Sequence, residues 1–215
     1  MEKPDRITLA HLRAADGGAR LILGIERTCG GETERETLTV FSARFSRAIG
    51  VGEITEEEYE HYLREAEYCE AVGVAMRSVG AGTESRARLL QKLKVRGIAP
   101  EAARAAADEL ARRGYLDEIS GAVREAERGL AKLWGDRRIL ADLRAKGYPE
   151  AARAAAKERL AGEDPEARLR ALIRRRHIRA PQDEKEAAKL FAALVRYGYE
   201  PSLIRRFCRC FADID

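Results

Sequence analysis

At 215 residues, with 45% hydrophobic and only 6% aromatic content, the chain can bury a core and reads as a helix former rather than a β protein. A negative mean hydropathy of −0.43, with no apolar run near the roughly 18 residues of a membrane span, argues against a transmembrane helix. The net charge of +4 is uneven: 10 basic against 15 acidic residues in 1–82, then 30 against 21 in 83–215. The back half is therefore expected to face polyanions or an acidic protein surface.

The opening MEKPDRITLA has no apolar h-region, so a cytoplasmic rather than secreted protein is expected. Ile7, Leu9 and Leu12 lead into the turn signal Asp16-Gly17-Gly18, and Leu21, Leu23 and Ile25 then alternate with other residues. After a second turn signal, Gly30-Gly31, the run Thr37–Phe41 has β propensity. These features predict a small two- or three-stranded meander that must lean on neighbouring helices, since so few strands are marginal alone.

From Thr55 the period becomes helical. Thr55 is a good N-cap, Glu56, Glu57 and Glu58 suit the positive end of a helix, and Tyr59, Tyr62, Leu63, Ala66, Cys69 and Val72 share a face. The spacing predicts a helix to about Val79, stopped by Gly80 and Gly82.

Three later segments align on a glycine: LLQKLKVRGI (89–98), ILADLRAKGY (139–148) and LFAALVRYGY (190–199). Apolar residues recur eight, seven and four positions before Gly97, Gly147 and Gly198 and one position after. This predicts helices that bury one face and end at a left-handed glycine. Pro100, Pro149 and Pro201 each open a following helix. Ala103, Ala106 and Leu110 face inward in the first copy, and Ala152, Ala155 and Leu160 in the second. The bulkier Leu203, Ile204, Phe207 and Phe211 follow in the third. With a preceding helix at roughly 55–79, 118–133 and 164–177, the unit is three helices, three times over. The expected architecture is mainly α: an N-terminal β-rich segment (1–54), then tandem three-helix, helix-turn-helix-like repeats at 55–115, 116–162 and 163–215 in an elongated array.

Chemistry is sparse. There is no phosphate-binding loop, GxSxG or HExxH, so no enzyme activity, cofactor or metal is expected. Cys29, Cys69, Cys208 and Cys210 lack metal or redox spacing and read as reduced thiols, and His11, His61 and His177 stand alone. Trp134 reads as a core or inter-repeat anchor before a base-stacking platform.

The segment KLWGDRRILADLRAKGY (132–148) resembles the RecX family, regulators of the RecA recombinase, in Gly135, Ile139, Leu143, Lys146, Gly147 and Tyr148. ELARRGYLDE (109–118) is similar to the family's link between repeats in Gly114, Tyr115, Leu116 and Asp117. The resemblance covers about 55–211. Where the family's first repeat opens Arg-Ser with a Glu four residues after the Arg, this chain has Glu84, Ser85 and Arg88, the charges exchanged at i,i+4. Where the family carries an aromatic-Ala pair, this chain has Gly121-Ala122.

The resemblance implies binding along the groove of a RecA–DNA filament with modulation, usually inhibition, of strand exchange and ATP hydrolysis; a monomer with auxiliary contacts to single- or double-stranded DNA is expected. Candidate contacts are the basic residues Arg112, Arg113, Lys132, Arg137, Arg138, Arg144, Lys146, Arg174, Arg175, Arg176 and Arg179. Within 168–179 six arginines stand without an acid. The alternative is a helix-turn-helix DNA-binding protein with no RecA partnership. Three similar units fit a repeating target better than a single operator.

Overall fold

The computed structural model describes residues 5–80, 82 and 84–211, and the side chains of 209–211, Cys210 and Phe211 among them, lie outside the described set. The chain is mainly α with an N-terminal antiparallel sheet. It divides into two compact units, one made of residues up to Gly80 with Leu89–Tyr115, the other of Ala81–Arg88 with the chain from Leu116 onward.

In the first unit, β1 (Arg6–Ala15), β2 (Arg20–Cys29) and β3 (Glu32–Phe41) form the expected meander. The Gly30-Gly31 hairpin has both residues at positive φ, 56° and 88°, the geometry that matches strand twist. A fourth strand, β4 (Gly52–Glu53), was not expected; it pairs with Thr8 and Leu9 of β1, giving the order β3-β2-β1-β4. Two residues are shorter than one full alternation, so no periodicity announces such a strand.

The pairing of β1 with β2 shifts between Leu9 and His11, a bulge that leaves Ala10 unpaired. The bulge reverses the parity of the strand. Ile7 and Leu9 lie in the core, and Leu12, three residues on, packs against the same core. Opposite the bulge the His11 ring occupies the space where Gly24 would carry a Cβ.

The sheet leans on α1 (Glu56–Val79), whose Tyr59 and Tyr62 join Ile7, Leu9, Leu23, Ile25 and Val40 in one core. Thr55 caps α1 through a reciprocal capping box with Glu58. Helix α2 (Arg86–Val95) begins in the second unit and continues into the first, where α3 (Pro100–Arg112) packs on α1 through Ala103, Ala106, Ala107 and Leu110.

The second unit holds α4 (Glu118–Ala131), α5 (Asp136–Ala145), α6 (Glu150–Ala161), α7 (Pro165–Arg175), α8 (Glu184–Arg196) and α9 (Pro201–Phe211). Ala122, Ala126, Ile139, Leu143, Tyr148, Ala152, Ala156 and Leu160 form the core of α4–α6. Leu169, Leu172, Ile173, Leu194, Tyr199, Leu203 and Ile204 form that of α7–α9.

Gly97, Gly147 and Gly198 all have positive φ, 79°, 74° and 93°. At each one the next amide returns to a carbonyl five residues back: Ile98 to Leu93, Tyr148 to Leu143, Tyr199 to Leu194. The residues four before and one after each glycine are buried in all three copies. The residues seven before (Leu90, Leu140, Phe191) are only half-buried, about 100° round the helix from the buried Leu89 and Ile139, and in the third copy Leu190, eight before, is half-buried as well. The proline rule needs one adjustment: Pro100 and Pro165 sit inside the first turn, whereas Pro149 is the N-cap of α6.

Candidate functional site

The eleven basic candidates separate by what they touch. Arg112 and Arg113 both pair with Glu109, a carboxylate only 9% exposed, and so neutralise a buried acid. Lys146 is held by Glu125 at 2.5 Å and Asp142 at 2.7 Å. Burial alone would lower its pKa, but the hydrogen bonds to Asp142 and Glu125 win and raise it. Arg137 lies 3.7 Å from Glu200. Arg174 borders a separate hollow that also contains Asp164 and Glu166. Arg144 and Arg179 are exposed and line none of these features. The arginine-rich stretch also splits, because Arg168 is buried against Asp136 and Arg170 pairs with Glu166.

The other four converge. Lys132, Arg138, Arg175 and Arg176 line one cleft of about 560 Å3, with Ala131, Leu133, Trp134, Leu172 and Tyr197 completing it. No lining residue is acidic. The guanidinium of Arg138 lies 4.1 Å from the Trp134 ring centre and 5.7 Å from that of Tyr197. The Lys132 ammonium lies 4.8 Å from Trp134. Such contacts hold the cations over the rings before any ligand arrives. Trp134 also packs against the α4–α6 core, so one ring serves as anchor and as cleft wall.

The backbone builds this cleft from helix ends. Lys132, Arg176 and Tyr197 are the C-caps of α4, α7 and α8. Cations at helix C-termini offset the dipole, a structural role that accounts for part of the charge. The partial charge of three helix ends, each about half an elementary charge, is smaller than that of four full cations. Leu133, just beyond the α4 cap, adopts φ 58°, as His177 beyond the α7 cap adopts φ 50°. Left-handed backbone costs an L-residue about 1–2 kcal/mol. Leu133 is held there by packing against the α7–α9 core and by the Tyr199 hydroxyl, which donates to its carbonyl at 2.9 Å. Burial pushes the Tyr199 pKa up to about 12, so this donor keeps its proton.

Arg138 is positioned by a backbone contact. The Gly135 amide donates to Tyr197 O at 2.8 Å and the Arg137 amide to Gly198 O at 3.2 Å. The start of α5 thereby sits directly on the end of α8. Tyr197 is absent from the sequence candidates, although the repeat alignment carries a signal for it. The residue before the aligned glycine is Arg96 in the first copy, Lys146 in the second and an aromatic in the third.

No family model matches the sequence. The regulatory protein RecX of Stenotrophomonas maltophilia (strain K279a) is 36% identical over 130 residues, covering 60% of this chain and 79% of that protein. The chain belongs to the RecX family. The RecX of Thermobifida fusca (strain YX) is 32% identical over 149 residues, covering 66% of this chain and 78% of the relative. Among solved structures, one of regulatory protein RecX superposes with a TM-score of 0.67 at 14% identity, covering 93% of this chain and 97% of that one. RecX from Lactobacillus salivarius gives 0.54 at 13% identity, covering 69% and 98%.

The residues that carried the RecX resemblance have physical reasons here. Gly135 has an ordinary extended backbone, φ −75°, yet a Cβ there would fall 2.2 Å from the Gly198 carbonyl carbon and oxygen. It is glycine for space. Gly147 needs both its positive φ and its lack of a Cβ, which would meet the Ala87 methyl at 2.5 Å. Ser85, fully buried, donates to the Lys146 carbonyl and accepts from the Arg88 amide at 3.2 Å, tying the start of α2 to the end of α5. The exchanged charges Glu84 and Arg88 still approach each other, at 3.7 Å. Gly121 leaves room that the Tyr148 ring approaches, 3.3 Å from the missing Cβ at its hydroxyl.

Proposed function

We propose that this RecX protein is a non-catalytic regulator that binds, as a cytoplasmic monomer, the RecA recombinase filament. On this reading it inhibits RecA strand exchange and ATP hydrolysis during DNA repair and recombination. Three consecutive helical units (55–115, 116–162 and 163–215) match a repeating target. The observation that carries the reading beyond family membership is the cleft of Lys132, Arg138, Arg175 and Arg176, an acid-free basic surface to which both 116–162 and 163–215 contribute. Among the described residues no helix is long and apolar enough to cross a membrane.

The test is a pull-down of the host's RecA, assembled on single-stranded DNA with an ATP analogue, followed by strand exchange assays. The wild-type chain is expected to bind the filament and to inhibit strand exchange. Replacing Arg175 and Arg176 by Glu is expected to raise the concentration needed. Failure to bind the filament, or inhibition unchanged by that pair of substitutions in a folded protein, overturns the reading.

A further inference from the structure

The cleft has a chemistry that filament binding alone does not specify. Its cations are not balanced by acids on its walls, two aromatic rings face it, and one cation is stacked between those rings. Exposed surface clusters of arginine are common and are normally interleaved with carboxylates, as around Glu109 or Glu166 elsewhere in this chain. A concave site with several cations, π faces and a strained wall residue is a different object.

We propose that this cleft receives one nucleotide unit of single-stranded nucleic acid. The phosphodiester lies against Arg175, Arg176 and Lys132, and the unstacked base lies against the Trp134–Arg138–Tyr197 face. The inference rests on the reading of this cleft as the binding face and adds the ligand's identity. Arginine suits the phosphate at Arg175 and Arg176 because its planar fork matches phosphate oxygens, and Arg138, already held over two rings, loses little freedom when a base stacks beside it. Aromatic faces reward any base that is not paired and stacked within a duplex, which gives strand preference without sequence preference. A duplex presents a convex backbone with its bases inside, so it reaches the cations and not the rings. A carboxylate peptide satisfies the charge and leaves the rings unused.

The cleft carries its own reporter. Trp134 is the chain's one tryptophan, so its fluorescence reads ligand entry at this place. The full chain is titrated at low salt with a short oligothymidylate, with duplex of equal phosphate content, with pyrophosphate and with polyglutamate, and no RecA is present. The single strand is expected to change Trp134 emission and to bind more tightly than the other three. The Arg175→Glu, Arg176→Glu double variant is expected to weaken it about ten- to a hundredfold, the effect of losing one or two charge-assisted contacts. Tyr197→Leu is expected to weaken single-strand binding while leaving the weaker duplex binding unchanged. A charge-matched control in the other unit, Lys94→Glu with Arg96→Glu, is expected to bind as wild type. Should charge reversal at the α7 end unfold the protein, the glutamine pair Arg175→Gln, Arg176→Gln repeats the test with less dipole disturbance.

Equal affinity and equal emission change with duplex overturns the single-strand assignment. Pyrophosphate binding as tightly as the strand makes the ligand a free anion, and polyglutamate binding more tightly makes it an acidic protein segment; either overturns the proposal. No emission change with any ligand also overturns it. Because RecA is absent, these failures leave filament binding untouched, and a failed pull-down leaves single-strand binding untouched.

Discussion

Four glycines along the helix ends differ in backbone conformation and in what a methyl group would meet, and substituting each by alanine separates the two effects. Gly97 has φ 79° with nothing within 4 Å of the added Cβ, so Gly97→Ala is charged only for left-handed backbone, about 1–2 kcal/mol. Gly135 has favourable φ, and its Cβ would sit 2.2 Å from the Gly198 carbonyl. Backbone cannot rotate away as a side chain does, so Gly135→Ala is expected to cost about 2–3 kcal/mol, the upper range for overpacking. Gly198→Ala combines both penalties, φ 93° and contact at 2.4 Å with the Arg138 Cβ and amide nitrogen, and is expected to cost about 3–5 kcal/mol. Gly147→Ala lies between, since the Ala87 methyl at 2.5 Å can shift a little. Urea unfolding gives the order directly: Gly97 mildest, then Gly147 and Gly135, with Gly198 worst. The same pair predicts a functional consequence, because separating α5 from the α8 end displaces Arg138 from Tyr197. Gly135→Ala should therefore change Trp134 emission in the folded state, and Gly97→Ala should not. Equal losses at Gly97 and Gly198, or a Gly135→Ala protein of wild-type stability, would refute the close approach as the reason for glycine at these places.

Asp136 is the partner of Arg168, whose side chain is 6% exposed, so Asp136→Ala strands a buried guanidinium. Because Asp136 itself is 41% exposed, a loss of about 3 kcal/mol is expected in urea unfolding, at the low end for broken buried pairs. A loss below ~1 kcal/mol would mean water already solvates the arginine. Burial pushes the pKa of both Tyr148 and Tyr199 up to about 12. A folded pKa above the unfolded value of roughly 10 gives stability that is full below pH 10 and lost as pH rises toward 12. Ionising each tyrosine then removes roughly 3 kcal/mol, so the second unit is expected to lose stability as the solution becomes alkaline. Phenolate absorbance checks it: a single titration of all tyrosines near pH 10 in a folded chain would contradict the burial.

The sequence carried the helical repeat because its signals are local. Glycine at positive φ, proline in a first turn and apolar residues four apart are properties of short segments, and Gly97, Gly147 and Gly198 stand where those segments end. The capped start at Thr55 was equally legible, since the capping box spans four residues. The meander was visible as turn chemistry at Gly17-Gly18 and Gly30-Gly31, whereas the bulge at Ala10 and the two-residue β4 depend on partners across the sheet.

The basic residues were the harder case. Composition marks eleven of them alike, and only packing distinguishes Arg112 and Arg113, committed to a buried carboxylate, from Arg175 and Arg176, which face an acid-free hollow. Charge acts through space and is screened or cancelled by whatever lies within a few ångströms, a distance that sequence separation does not encode. Lys132 and Tyr197 are 65 residues apart and share one cleft. They do so because two glycines, Gly135 and Gly198, let one helix start where another ends. Sequence determined the helices and their caps. Tertiary structure decided which cations remain available to a ligand.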